Sequence, residues 1–299
     1  MITIKVSVVI PTYNDSPIAC LKALAAQSVS REMYEVIVVD NASDKRDIKK
    51  IVDKFKFAKY IREPRKGVYF ARNSGWRAAK GDIIAFTDAD CMPDKNWISQ
   101  IIESFSNPKI AALGGSIVKT APHSWIERNQ QSLANGQTTL RYKSYSKTPY
   151  IIAANMIFRK SLIEKLGGFN ELFTSGGDVD FSWRVINSGN QIYLNKNAFI
   201  FHYPRLTITD YFKQYYRYGV GHPLLYKIYN PDKLIYIDTK NILNLLTSFI
   251  QVPTIGLFSY IFSLGKNELM LYHYLEMVKC VGLISGRIKG SKKHKMLFI

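Results

Sequence analysis

Cysteine is scarce: three in 299 residues, Cys20, Cys91 and Cys280, far apart and without a Cys-x-x-Cys pair. A disulfide framework or a thiolate zinc site is therefore not expected, and a reducing compartment is. Acid is also scarce, since 23 Asp and Glu face 41 Lys and Arg, leaving +18. That balance disfavours an acidic soluble hydrolase. It favours a polyanionic partner: nucleic acid, an anionic membrane face or a phosphorylated substrate. No Gly-x-Gly-x-x-Gly follows the first strand pattern, which argues against a dinucleotide fold. No Gly-x-x-x-x-Gly-Lys-Ser/Thr is present, which argues against a phosphate-loop ATPase. The first residues run straight into a strand pattern without an apolar h-region, so no signal peptide is expected. There is no internal repeat and no low-complexity linker.

What is present is the composition of a globular chain, 47% hydrophobic and 21% charged. Its length suits two modules, or one large α/β domain with an appendage, and needs no disulfide or metal staple. Short β-branched apolar runs at 4–10 (ended by Pro11) and 35–40 predict buried strands, and 57–62 and 83–88 predict a third and a fourth strand. Helical spacing at 16–28, 44–56 and 67–80 alternates with them. This alternation predicts βαβ units and a parallel sheet. From 94 to 204 the pattern is mixed, with apolar runs at 114–118, 151–158 and 198–203 and a helix over 178–188.

The informative polar residues stand at strand ends. Pro11-Thr12-Tyr13-Asn14-Asp15, Asp40-Asn41 and Asp88-Ala89-Asp90 all follow predicted strands. Ligands bind at that edge of open α/β sheets, and three such loops describe a nucleotide pocket. Two carboxylates two residues apart can hold one hard divalent cation, Mg²⁺ or Mn²⁺, and a ribose, although Asp-x-Asp is also common in solvated turns. His202 sits in an apolar strand, where a lone histidine is more often a hydrogen-bonded core residue; it gains weight only if the fold brings it beside Asp90. Gly176-Gly177-Asp178-Val179-Asp180 predicts a turn entering a helix. Its acids suit the helix dipole without any catalysis, or one of them serves as a general base. Arg72, on a helix that follows a Gly loop, can face phosphate or simply solvent.

Together these residues resemble a family 2 glycosyltransferase with the GT-A nucleotide-sugar fold. The resemblance rests on six segments in order over about 5–204: VSVVIPTYND, EVIVVDNASD, GVYFARNSGWRAAKGDIIAFTDADC, GGSI, AANMIFRKSLIEKLGGFNE and GGDVDFSWR. It implies that Pro11, Thr12, Tyr13 and Asp40 cradle the base, and that Arg72, Asp88 and Ala89 line the nucleotide. It implies that Asp90 binds the divalent metal with His202 as a further ligand, and that Asp178 is the catalytic base. Gly115, Asn155, Asp180, Trp183 and Arg217 fall on the sugar or acceptor side. The implied chemistry is inverting transfer from a nucleotide sugar, a UDP-sugar foremost. The family often has Glu-Asp where this chain has Gly177-Asp178, which leaves Asp178 and Asp180 both open as base. Gln214-Tyr215-Tyr216-Arg217-Tyr218 resembles the Gln-x-x-Arg-Trp motif of processive synthases, and is read as an acceptor-side helix without processivity.

Two regions are thus expected: a GT-A catalytic domain over 1–204 and a helical region over 205–299. Residues 241–264 carry no charge and 268–285 are apolar with scattered charge; five Lys or Arg occupy 287–295. The first run is long enough to cross a bilayer, but its Asn, Gln, Pro, Ser and Thr dilute its hydrophobicity. Helices lying in the interface of an anionic membrane are the favoured reading, on the cytoplasmic side, with a lipid-linked glycan acceptor. The alternatives are a soluble acceptor with a helix-mediated homodimer, and a non-catalytic nucleotide or glycan binder. No basic-aromatic recognition motif supports nucleic acid.

Overall fold

The computed structural model describes residues 4–119, 124–132, 141–203, 206–261 and 267–299. They fall into two compact units. The first comprises 4–119, 141–172 and 177–203; the second comprises 124–132, 173–176, 206–261 and 267–299.

In the first unit, β1 (Val6–Thr12) is buried throughout and α1 (Ile18–Ala25) buries Cys20, Leu21 and Leu24. Then come β2 (Tyr34–Asp40), α2 (Ile48–Val52), β3 (Ala58–Arg62), α3 (Val68–Arg77) and β4 (Ile83–Phe86). The expected helix over 44–56 is five residues long and starts late because Asp47 caps it, accepting the Lys50 N–H at 2.9 Å. β1 runs through Pro11 instead of ending there. Its β4 neighbour stops opposite Val9, so Pro11 pairs only with β2 and its missing N–H breaks no ladder.

Next are β5 (Cys91–Pro93), α4 (Trp97–Phe105) and β6 (Ala112–Lys119), with α5 (Trp125–Ser132) following in the second unit. The first unit closes with β7 (Arg141–Lys143), β8 (Ser146–Tyr150), β9 (Met156–Arg159), α6 (Lys160–Leu166), α7 (Gly177–Asn187) and β10 (Ile192–His202). Eight strands form one sheet in the order β3-β2-β1-β4-β9-β6-β10-β5. The first four are parallel neighbours, and β9 lies antiparallel between β4 and β6. The parallel half leaves Thr12 and Asp40 side by side at one edge. β5 pairs antiparallel with β10 and sets His202 opposite Cys91. Rings of Phe86, Phe169, Phe181 and Phe158 pack in series at 4.9–5.1 Å and seat α7 on the sheet.

The second unit contains α8 (Ile208–Tyr229), β11 (Ile235–Tyr236), α9 (Thr239–Ile261), α10 (Asn267–His294) and β12 (Leu297–Phe298), with β11 and β12 paired. α8 and α10 meet backbone to backbone at Gly219 and Gly286. Arg287 is buried in an ion pair with Asp238 at 2.9 Å, so one cation of the basic 287–295 run is not available at the surface. Among the described residues no helix is long and apolar enough to cross a membrane. Residues 262–264 of the uncharged run lie outside the described residues.

Just past β3, Glu63 holds α3 in place. It is buried, accepts the Arg65 backbone N–H and guanidinium at 2.9 Å, and takes the Ser74 hydroxyl of α3 at 2.5 Å. The hydrogen bonds from Arg65 hold its carboxyl down at about 2, against 4.5 when free. A depressed carboxyl contributes stability above its unfolded pKa and loses it as pH falls through the folded one. The urea midpoint is therefore expected to drop between pH 4.5 and about 2. Glu63→Gln should flatten that part of the curve.

Candidate active site

Three strand-end loops are knitted together by side chains. After β1, the Thr12 hydroxyl donates to the Asp15 carbonyl at 2.8 Å. The Asn14 side chain spans to the loop after β2, donating to Asp44 at 2.9 Å and accepting the N–H groups of Asp44 and Lys45. Asp40 is buried with both oxygens engaged: one accepts the Ser43 N–H at 2.9 Å, the other Tyr60 at 2.9 Å and Arg62 at 2.8 Å. Asn41 joins this loop to the start of α3, accepting the Gly67 N–H at 2.8 Å and donating to the Arg65 carbonyl at 2.7 Å. Of the four residues expected to cradle a base, Pro11, Thr12 and Asp40 are buried. Tyr13 offers an exposed ring, with the Lys66 ammonium 5.4 Å from its centre.

The next layer hangs on α3, whose Tyr69, Arg72 and Asn73 share one buried face. Arg72 is 5% exposed and donates to Asp88 Oδ1 at 2.8 Å. Its Nε is buried without a partner, as is the Thr87 hydroxyl beside Asp88. A buried cation with donor capacity left over suits an anionic ligand. Asn73 turns its amide on the loop after α6, while its oxygen also accepts the Trp76 indole N–H at 3.0 Å. It donates to the Phe169 carbonyl at 2.8 Å and to Glu171 at 2.9 Å, and accepts the Phe169 N–H at 2.9 Å.

Ala89 is buried between the two acids. Asp90 Oδ2 lies 3.6 Å from His202 Nε2, both half-buried, so the fold supplies the neighbour that His202 needed. Asp90, Cys91 and His202 bring three ligand atoms within 4.8 Å of one another. Carboxylate oxygen and imidazole nitrogen suit Mn²⁺ or Mg²⁺. Burial, then the charges of Asp88 and Asp90, push the Cys91 thiol well up, which keeps it a thiol and a poor ligand for a hard ion.

At the head of α7 two acids part company. Asp178 keeps some solvent exposure, and its Oδ1 accepts the Val179 N–H at 3.0 Å. Protein packed around it raises its pKa, while the charges of Lys143 and Arg72 pull it back. Asp180 is buried and bound by Arg184 at 2.9 Å, and Arg184 also ties the carbonyls of Leu166 and Gly168 at 2.7 Å. Trp183 is buried, donating to the Thr148 carbonyl at 3.0 Å, and so holds the β7–β8 hairpin. Asn155 is buried with Trp97 donating to it at 3.0 Å, while it donates to Ser116 and Ala198 at 2.9 Å. Gly115 permits this, since a Cβ there would stand 2.0 Å from the Ala198 carbonyl oxygen. Asp180, Trp183, Asn155 and Gly115 are thus committed to the fold's own contacts. Arg217 is exposed on α8 in the second unit. Tyr69, Asn73, Asn41 and Cys91 had no assigned role in the sequence; only the i, i+3, i+4 spacing of Tyr69, Arg72 and Asn73 could have drawn out the first two.

Residues 7–167 match the model of glycosyl transferase family 2. Glycosyltransferase AglE of Haloferax volcanii is 30% identical, with 72% of each chain covered. A dolichyl N-acetyl-α-D-glucosaminyl phosphate 3-β-D-2,3-diacetamido-2,3-dideoxy-β-D-glucuronosyltransferase of Methanococcus voltae is 26% identical over 97% of this chain and 99% of that one. Among solved structures, mannosyltransferase PcManGT from Pyrobaculum calidifontis, in complex with GDP-Man and Mn²⁺, superposes with a TM-score of 0.63 at 19% identity. That match covers 96% of this chain and 86% of the other. With the family model covering more than half of the chain, and a mixed sheet of the GT-A kind beneath it, this protein belongs to glycosyl transferase family 2 and is a transferase enzyme.

Proposed function

We propose that the enzyme transfers a sugar from a nucleoside diphosphate sugar, a UDP-sugar foremost, to a hydroxyl of a lipid-linked glycan, inverting the anomeric carbon. One observation carries the reading. The pair of buried Arg72 with half-buried Asp88 at a strand end lies within electrostatic reach of a single partly exposed acid of raised pKa, Asp178. An anion site beside a base is what displacement of a diphosphate by a hydroxyl requires. The acceptor O–H gives its proton to Asp178. The freed oxygen pair bonds the anomeric carbon from the face opposite the diphosphate, and the bond to the diphosphate breaks. Arg72 offsets charge on the departing phosphates, and the loops fixed by Asn14 and Asn41 hold the nucleotide. A divalent cation, Mn²⁺ or Mg²⁺, would be held by Asp90 and His202 and would neutralise part of the diphosphate charge. Asp180 is spent on Arg184, which favours Asp178 as the base.

The acceptor's lipid rests on the second unit. Leu234, Ile235, Ile237, Leu243, Leu246 and Ile250 are 52–65% exposed, and exposed Lys233 and Lys240 flank them. No acid occurs between Thr239 and Asn267. Apolar side chains bordered by cations suit the interface of an anionic membrane, where α9 would lie in the plane. The Methanococcus voltae relative is named for a dolichyl-linked acceptor, in keeping with a role in glycan synthesis on the cytoplasmic face of a membrane.

Asp178→Asn is expected to lower turnover by about a thousandfold, with nucleotide binding unchanged. The acidic limb of the wild-type rate profile should lie above the ordinary aspartate value. Because its pKa is raised in the fold, ionised Asp178 costs stability that grows as pH rises past 3.8; the Asn variant should melt higher at neutral pH.

Mn²⁺ binding, read by the resonance of the free ion, should weaken about a hundredfold in Asp90→Ala and about tenfold in His202→Ala. Equal affinities in all three proteins would place the ion elsewhere.

In co-sedimentation, phosphatidylglycerol vesicles should retain the protein and phosphatidylcholine vesicles should not. Leu246→Glu with Ile250→Glu should cut retention at least about tenfold, by the loss of buried apolar area. Loss of a dimer instead, with retention intact, would favour the homodimer and a soluble acceptor.

A further inference from the structure

α7 begins at Gly177, whose N–H is one of the first-turn donors that a helix cannot satisfy itself. The residue before it, Gly176, has no side chain to cap it. The acceptor comes instead from α3: the Gly177 N–H donates to the Tyr69 hydroxyl oxygen at 2.8 Å. Tyr69 is 4% exposed, its ring stacks on Phe169 at 5.7 Å, and the Arg72 guanidinium stands 5.6 Å from its centre. The ring also fills the space beside Gly177. A Cβ on residue 177 would come within 2.7 Å of two ring atoms.

We infer that Tyr69 is the positioning residue for Asp178. The inference rests on the proposed role of Asp178 as base. The hydroxyl caps the turn that carries the carboxylate, and the ring sets how closely that turn approaches α3. Arg72, one helical turn further on, binds Asp88 on the donor side. A single helix face thereby fixes the distance between the group that holds the leaving phosphates and the group that takes the proton. Displacing the base by about 1 Å is enough to cost a large factor in rate. Side chain size at 69 and absence of one at 177 are two halves of one arrangement.

The test takes Tyr69→Phe, which keeps the ring and deletes the cap, together with Gly177→Ala, Tyr69→Ala and their double variant. Hydrogen exchange over 177–182 should quicken at least about tenfold in Tyr69→Phe as the first turn loosens, with exchange elsewhere unchanged. Turnover should fall about tenfold with donor KM within about twofold, the pattern of a displaced base with intact donor binding. Gly177→Ala should cost at least about tenfold in turnover alone and under about twofold in the Tyr69→Ala background. Wild-type exchange in Tyr69→Phe overturns the inference. So does quickened exchange with wild-type turnover, or with the whole loss in KM. If the wild-type protein turns over no nucleotide sugar at all, the functional reading fails, and the exchange measurement alone decides whether Tyr69 tethers this turn.

Discussion

One face of one helix organises the catalytic unit. Arg72 could not stay buried without a counter-charge, and Asp88 at the end of β4 supplies it at 2.8 Å. The bond fixes the strand-end acid, and the helix that carries Arg72 is fixed in turn by Glu63 and Ser74 at its back. From the same face Asn73 clamps the loop after α6, and Tyr69 meets the start of α7. The strand-end acid, the loop after α6 and the start of α7 are thus referred to a common body. Removing Tyr69 or Asn73 leaves a buried N–H unmatched, at Gly177 or Phe169, which costs about 1–3 kcal/mol each.

A second constraint is the change of strand direction after β4. Continued parallel winding would have sent the chain away from Asp90. β9 enters antiparallel, β10 follows beside β6, and the short β5 pairs antiparallel with β10. His202 then stands opposite Cys91 and 3.6 Å from Asp90, across more than a hundred residues of sequence. The approach of His202 to Asp90 is a product of this register. A one-residue slip would turn His202 to the other face of the sheet.

The parallel half was legible because buried parallel strands are β-branched and continuous, and because polar residues gather where they end. Asp88 and Asp90 stand out this way, whereas Arg72 and Asp178 are read from glycine turns that open helices, and their roles from the family resemblance. The environment of each residue was not legible. Spacing offers the Asp180–Arg184 pair, four apart on one helix, but cannot tell that Arg184 is also anchored by the Leu166 and Gly168 carbonyls, or that Asn155 spends its amide on Trp97 of α4 and on Ser116 and Ala198 of the sheet. Nor could it tell that a glycine replaces the acid often found before Asp178 because a tyrosine ring from α3 fills that space. Pro11 reads as a strand end from propensity, yet the missing neighbour on one side lets the strand continue. Apart from Arg184, the deciding partners are distant in sequence.

The account turns on the bond between buried Arg72 and Asp88 as the organiser of the proposed donor pocket. Calorimetric titration of UDP and of GDP, with Mn²⁺ present, into the wild-type protein and into Arg72→Lys tests it most directly. A lysine keeps the charge but cannot reach Asp88 and a phosphate together. The account predicts binding of at least one nucleotide by the wild-type protein, weakened about tenfold or more in a variant that remains folded. A folded Arg72→Lys protein that binds as tightly as the wild type would contradict it.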